Sequence, residues 1–141
     1  MVEAVHISRS EEDTEAIARQ LAEGLAAGDV VLLSGPLGAG KTAFVRGLAG
    51  GLGISPGEVS SPTFTLVHEY RGARLTLYHA DLYRVEGDDA EELGLQDLVG
   101  AHAAAAVLAI EWPNRSPRAW PWARLVRIDW VDDTTRHITI T

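Results

Sequence analysis

Cysteine is absent from the 141 residues, lysine and methionine occur once each, and phenylalanine occurs twice. Without cysteine there are no disulfides and no thiolate zinc sites, a composition that suits a reducing cytoplasm. Long apolar runs are also missing. The longest, Ala103 to Ile110, is far too short to span a bilayer. Met1-Val2-Glu3-Ala4 carries neither a basic segment nor an apolar stretch, so no signal peptide is expected. Basic charge is scarce as well: 12 basic against 20 acidic residues leave a net charge of −8, which excludes a general nucleic-acid binder. The length fits one domain, 1–141, able to bury roughly two-thirds of its unfolded surface. A cytoplasmic protein without a membrane segment is the expectation.

The single lysine stands in Gly35-Pro36-Leu37-Gly38-Ala39-Gly40-Lys41-Thr42, a complete match to G-x-x-x-x-G-K-[ST]. Its flanks supply the context that the motif needs. Val30-Val31-Leu32-Leu33 is a short apolar, β-branched run that predicts a buried strand. Ala43 to Leu52, stopped by Gly53, predicts a helix. In a strand–loop–helix of this kind Gly35, Gly38 and Gly40 let backbone N–H groups close round phosphates. The helix N-terminus adds partial positive charge. Lys41 is then placed for the β- and γ-phosphates of a nucleotide and the Thr42 hydroxyl for Mg²⁺. With no second lysine, the chain cannot carry the Asn-Lys-x-Asp segment by which many GTPases read guanine.

Around this centre the pattern predicts an α/β fold. Glu3–Ile7 reads as a first strand, and Ser10-Glu11-Glu12-Asp13 as a cap to a helix bearing Ile17, Leu21 and Leu25. Thr63–Tyr70 and Leu75–Tyr83 read as extended segments joined by the turn Arg71-Gly72-Ala73-Arg74, hence an antiparallel hairpin. Asp88–Val99 reads as a helix and Ala104–Ile110 as a strand ending at Glu111. Arg124–Val131 and His137–Thr141 complete the pattern as two strands joined by a turn. Hairpins flanking strand–helix units predict a three-layer fold of the P-loop NTPase type, with a mixed parallel and antiparallel central sheet.

A phosphate loop needs a carboxylate to order Mg²⁺ and its waters, and two segments offer one. Ala106–Glu111 is an apolar strand ending in an acid, and ligands of open α/β sheets collect at the carboxyl ends of strands. Glu111 is therefore the expected metal residue if that strand neighbours Val30–Leu33. In Tyr78–Arg84, Asp81 could hold metal through water or position the attacking water, while Arg84 suits pairing with an acid. Ser60–Thr65 is dense in hydroxyls; it reads either as a capped turn or as a loop that senses the γ-phosphate. His6, His68, His79, His102 and His137 show no ligand spacing and are expected at the surface or half-buried. Trp112–Ile128 holds four arginines (Arg115, Arg118, Arg124, Arg127) and no acid, with Trp120 and Trp122 among them. It reads as a protein-docking surface or as a solvated loop leading into a strand.

Four segments in order, GPLGAGKT (35–42), SPTFTLVHEY (61–70), YHADLYR (78–84) and IEWP (110–113), together resemble the TsaE (YjeE) family of small bacterial P-loop ATPases. The resemblance covers nearly the whole chain, and Glu91-Glu92-Leu93-Gly94 also fits it. It implies ATP and Mg²⁺ as cofactors. It also implies a part in forming threonylcarbamoyladenosine in tRNA, as an ATP-hydrolysing subunit docking on a TsaB–TsaD pair and reaching tRNA only through that pair. The family's metal-binding residues fall on Thr42 and Glu111, its functional aspartate on Asp81 and its tryptophan on Trp112. Lys41, Asp81 and Glu111 are then the expected catalytic residues. Residues 35–42 (Gly35, Pro36, Leu37, Gly38, Ala39, Gly40, Lys41 and Thr42), with Trp112, form the expected nucleotide contacts. By position the base side falls near Glu11 and Arg136. One departure is Asn114, where many members carry an acid. The alternatives are a small-molecule kinase on the same loop, with Arg115, Arg118 and Arg124 as lid arginines, or a nucleotide-gated binding module without turnover.

Overall fold

Apolar runs and their glycine stops set the elements. A computed structural model describes residues 3–36, 38–59, 67–82, 95–99, 105–112 and 120–141. In chain order these form β1 (Ala4–Ser8), α1 (Glu11–Glu23), β2 (Val30–Ser34), α2 (Lys41–Gly51), a 3₁₀ turn (Pro56–Glu58), β3 (Val67–Arg71) and β4 (Thr76–Asp81). They continue with the short helix α3 (Leu95–Leu98), β5 (Ala106–Glu111), β6 (Arg124–Trp130) and β7 (Arg136–Ile140). The expected helical residues 88–94 and the extended residues 63–66 lie outside the described residues, as do the 60–65 loop, Leu37, Tyr83, Arg84, His102, Asn114, Arg115 and Arg118.

The seven strands form one sheet in the order β1-β7-β6-β2-β5-β4-β3. The four central strands, β6, β2, β5 and β4, run parallel to one another. The outer pairs β3/β4, β6/β7 and β1/β7 are antiparallel. The sheet is thus mixed, as the hairpin turns predicted. β5 is buried at all six positions. An apolar run without alternation is what a strand covered on both faces requires.

Alternation assigns the two faces. Val31 and Leu33 of β2, Leu77 of β4, Val107 and Ala109 of β5, and Val126 and Ile128 of β6 meet Phe44, Val45 and Leu48 of α2 in one cluster. Val30, Ala80, Leu108 and Ile110 point the other way and pack with Leu82, Leu95, Trp120 and Ala123. Each fully buried leucine, isoleucine or phenylalanine contributes about 1.5–3 kcal/mol relative to exposure.

Ser10 caps α1 by accepting from the Asp13 amide at 3.0 Å, and Asp13 accepts from the amide of Arg9. The expected stripe Ile17, Leu21, Leu25 is only part of the buried face. Thr14, Ala18 and Ala22 lie deepest in α1, and Ile17 and Leu21 are half-buried. The reason is the close approach of α2. A Cβ on Gly47 would stand 2.2 Å from the Glu15 carbonyl oxygen, and one on Gly51 would stand 2.5 Å from the Ala22 Cβ. Small residues on both helices let them touch, which displaces the larger side chains to the flanks.

Candidate functional site

The loop between β2 and α2 is held at two places and open at a third. Gly35 has φ +145°, and a Cβ there would lie 2.3 Å from the Ile128 carbonyl oxygen, so β6 admits no side chain at this point. Gly40, the residue before α2, has φ +110°, and a Cβ on it would meet nothing within 4 Å. Its space is open, and no side chain caps the helix. The first amides of α2 therefore face an opening that an anion can fill. From the far side the β6–β7 hairpin grips the loop. Arg136 donates through Nε to the Ala39 carbonyl at 3.2 Å and through Nη1 to the carbonyls of Asp132 and Thr135, and Trp130 Nε1 donates to the Gly38 carbonyl at 3.4 Å.

Lys41 begins α2 and is 5% exposed. Its ammonium donates to the carbonyls of Gly35 (2.7 Å) and Pro36 (2.9 Å) and lies 4.4 Å from the centre of the Trp112 ring. Burial pushes its pKa below the usual lysine range, an effect opposed by the charges of Glu111 and then Asp81. The lysine is thus folded over its own loop, facing two acids.

Those acids arrive through strand register. β5 pairs directly with β2, setting Glu111 opposite Leu33, and Asp81 of β4 lies opposite Glu111. Both sit at carboxyl ends of strands, on the face that carries α2. Glu111 is 4% exposed, and its Oε2 lies 2.5 Å from His79 Nε2. Trp112, next in the chain, takes φ +60°, a strained angle for a bulky residue, and its amide donates to the Leu33 carbonyl.

Together Glu11, Gly38, Gly40, Lys41, Thr42, Ala43, Arg46, Asp81, Glu111 and Trp112 line a cavity of about 380 Å³. A neighbouring hollow of about 330 Å³ is bounded by Arg9, Glu11, Thr14, Ala39, Asp133 and Arg136, among others. The structure so brings together every expected site residue it describes, with Gly35 and Pro36 joined through the Lys41 ammonium. Leu37 lies outside the described residues.

Three residues escaped the sequence. His79 was expected at the surface or half-buried; it is fully buried against Glu111, because β4 pairs with β5 and sets it on the face that carries Glu111. Its i, i+2 spacing to Asp81 is the signal that pointed there. Arg46 lines the cavity on the face of α2 that also carries Thr42, one turn earlier, and binds Glu15 at 2.9 Å and Glu11 at 3.4 Å. Trp130 closes on Gly38, a contact between residues 92 apart that no local pattern announces. In the arginine-rich stretch Trp120 belongs to the core, while Trp122 is half-exposed with its Nε1 donating to the Gly28 carbonyl.

Oxygen donors suit a hard cation. Mg²⁺ takes one or two protein oxygens and completes its shell with phosphates and water. Thr42 and Glu111 offer such a pair beside open space, and no cluster of three or more His, Cys, Asp or Glu ligands occurs among the described residues.

Comparison with known proteins gives the family and the fold. The family model of threonylcarbamoyl adenosine biosynthesis protein TsaE matches residues 8–138. The tRNA threonylcarbamoyladenosine biosynthesis protein TsaE of Treponema pallidum is 42% identical over 136 residues, covering 95% of this chain and 97% of the relative. Its namesake in Bacillus subtilis is 44% identical over 131 residues, covering 92% and 80%. The crystal structure of Bacillus subtilis YdiB superposes with a TM-score of 0.71 at 31% identity, covering 99% of this chain and 84% of that one. Sequence and fold agree, and the chain belongs to the TsaE family.

Proposed function

We propose that the protein binds ATP with Mg²⁺ and hydrolyses it slowly, as a subunit serving the formation of threonylcarbamoyladenosine in tRNA. The observation that carries this reading is the meeting of Lys41, Thr42, Asp81 and Glu111 round one cavity at the uncapped start of α2. The relatives named for threonylcarbamoyladenosine biosynthesis supply the pathway.

Each residue has a task on this reading. The amides at the start of α2 cradle the phosphates. Lys41 leaves the carbonyls of Gly35 and Pro36 for the β- and γ-phosphate oxygens, which compensate its burial better than neutral carbonyls do. Thr42 and Glu111 hold Mg²⁺, which supplies charge neutralisation at the phosphates. Asp81 orients the attacking water. The hollow bounded by Glu11 and Arg136 receives the base side. With net charge −8, tRNA is reached through a protein partner, the TsaB–TsaD pair, rather than directly.

The experiment is product analysis with and without that pair. The expected outcome is Mg²⁺-dependent release of ADP and free phosphate that rises when TsaB–TsaD is added, with a complex on size-exclusion chromatography that requires ATP. A phosphorylated small molecule as product would establish the kinase instead. ATP binding without turnover, alone or with the pair, would establish a gated binding module.

A further inference from the structure

His79 has no task among the roles just given, yet it is the best-buried polar side chain near the carboxylates. It sits on β4 with no exposure, and its Nε2 lies 2.5 Å from Glu111 Oε2. Its other ring nitrogen, Nδ1, is buried and has no hydrogen-bond partner among the described residues. An unpaired buried nitrogen costs free energy that a leucine or phenylalanine in the same slot would avoid. Packing alone therefore does not account for an imidazole here. Among the described residues its one polar contact is with Glu111, and that contact defines its use.

A glutamate at a strand end has three side-chain torsions and can swing. A single hydrogen bond from a ring locked in the sheet removes that freedom for Oε2. An ionised carboxylate can only accept, so Nε2 carries the proton and donates. The bond engages Oε2 alone, and both Glu111 and Thr42 line the cavity. Carboxylates that hold metals are commonly fixed by such an outer hydrogen bond, and its loss typically weakens metal affinity. Asp81, two residues beyond His79 and opposite Glu111, cannot replace it, because an acid brings no comparable donor.

We propose that His79 is a positioning residue of the metal site, whose Nε2–H fixes the Glu111 carboxylate for the Mg²⁺ that accompanies the nucleotide. The inference rests on the ATP–Mg²⁺ reading and adds a residue to it. It touches neither nucleotide nor metal and acts through Glu111.

The test is calorimetric titration of the full chain with a non-hydrolysable ATP analogue, first without metal and then across a Mg²⁺ series. His79→Leu removes the donor and keeps an apolar filling. It should raise the Mg²⁺ needed for half-saturation by about 10–100-fold, with metal-free analogue affinity unchanged. His79→Gln places an amide N–H near the position of Nε2 and should restore most of the wild-type Mg²⁺ response. Mn²⁺ binding followed by electron paramagnetic resonance should give the same order. An unchanged Mg²⁺ response in His79→Leu overturns the inference, and so does equal loss in the Leu and Gln variants. If His79→Leu does not fold, the wild-type Nε2–H proton resonance decides. It should shift when Mg²⁺ is added to the analogue-bound protein, and no shift overturns the inference. A wild type that takes up no analogue refutes the ATPase reading and this inference with it. Normal uptake with an unaltered Mg²⁺ response in His79→Leu refutes this inference alone.

Discussion

The two walls of the cavity are built differently. On one side Asp81 and Glu111 stand on adjacent parallel strands, set opposite each other by register and backed by fully buried His79. On the other side Glu11 and Arg46 are held by side-chain pairs, and Arg136, at the neighbouring hollow that shares Glu11, by hydrogen bonds to backbone carbonyls. In the Arg46–Glu11 pair, Glu11 is 78% exposed at its side chain. The first wall owes its geometry to the sheet ladder and cannot shift without moving a core strand. The second is set by exposed and part-buried side-chain contacts that individually contribute about 1 kcal/mol. On the proposed reading the difference separates tasks: charge handling falls to the rigid wall, and recognition of the rest of the nucleotide falls to the adaptable one.

Perturbing each wall in turn sharpens that contrast. The largest effect is expected at Lys41, which faces the rigid wall. Lys41→Ala removes the one side-chain ammonium of the chain, and ATP hydrolysis should fall on the order of 10²-fold or more, with circular dichroism unchanged. Hydrolysis near wild type in a folded Lys41→Ala would detach the lysine from the chemistry.

Next comes the joint between loop and sheet. Gly35→Ala drives a Cβ against the Ile128 carbonyl oxygen, where no rotamer gives relief. It should cost about 2 kcal/mol or more, read as a lowered melting temperature. An unaltered melting temperature would mean that β6 and the loop are not in contact.

Glu111→Gln keeps shape but loses charge on the rigid wall. It should raise the Mg²⁺ requirement by about 10-fold, seen in a Mg²⁺ titration of ATPase activity. If the requirement stays flat while Asp81→Asn raises it, the metal role belongs to Asp81.

The smallest effect belongs to the adaptable wall. Arg136→Ala loses hydrogen bonds to the Ala39, Asp132 and Thr135 carbonyls. A loss near 1 kcal/mol, roughly fivefold in nucleotide affinity, is expected, with the Mg²⁺ requirement untouched. An Mg²⁺ effect as large as that of Glu111→Gln would erase the distinction between the walls.

What the sequence disclosed follows the same division. The loop, the strand before it and the helix after it were legible because glycines, β-branched runs and helical spacing are local signals. Glu111 was legible as the acid closing an apolar strand, but its place beside β2 needed the strand order, which no local pattern encodes. His79 was hidden for a related reason. A histidine two residues before an acid on a strand shares its face, yet only the pairing of β4 with β5 brings it to Glu111 rather than to solvent. In α1 the apolar periodicity located the helix, while the identity of its deepest residues depended on Gly47 and Gly51 of another helix. Burial of Trp120 likewise depended on packing across the sheet rather than on its arginine neighbours.

The pairing of β1 with β7 has a consequence for how the molecule is made. Residues 4–8 emerge from the ribosome long before their sheet partner, residues 136–140. β1 therefore waits through the synthesis of all the residues between them with its backbone unpaired on that edge. The same late hairpin brings Trp130 and Arg136, which hold Gly38 and Ala39. The β2–α2 unit can form early from local contacts, but its loop gains these two supports only when β6 and β7 arrive. A nascent chain stalled before residue 130 would carry the whole glycine-rich motif without them. Full support of the loop is thereby tied to synthesis of the β6–β7 hairpin, so a product truncated before residue 130 would carry the loop without its Trp130 and Arg136 contacts.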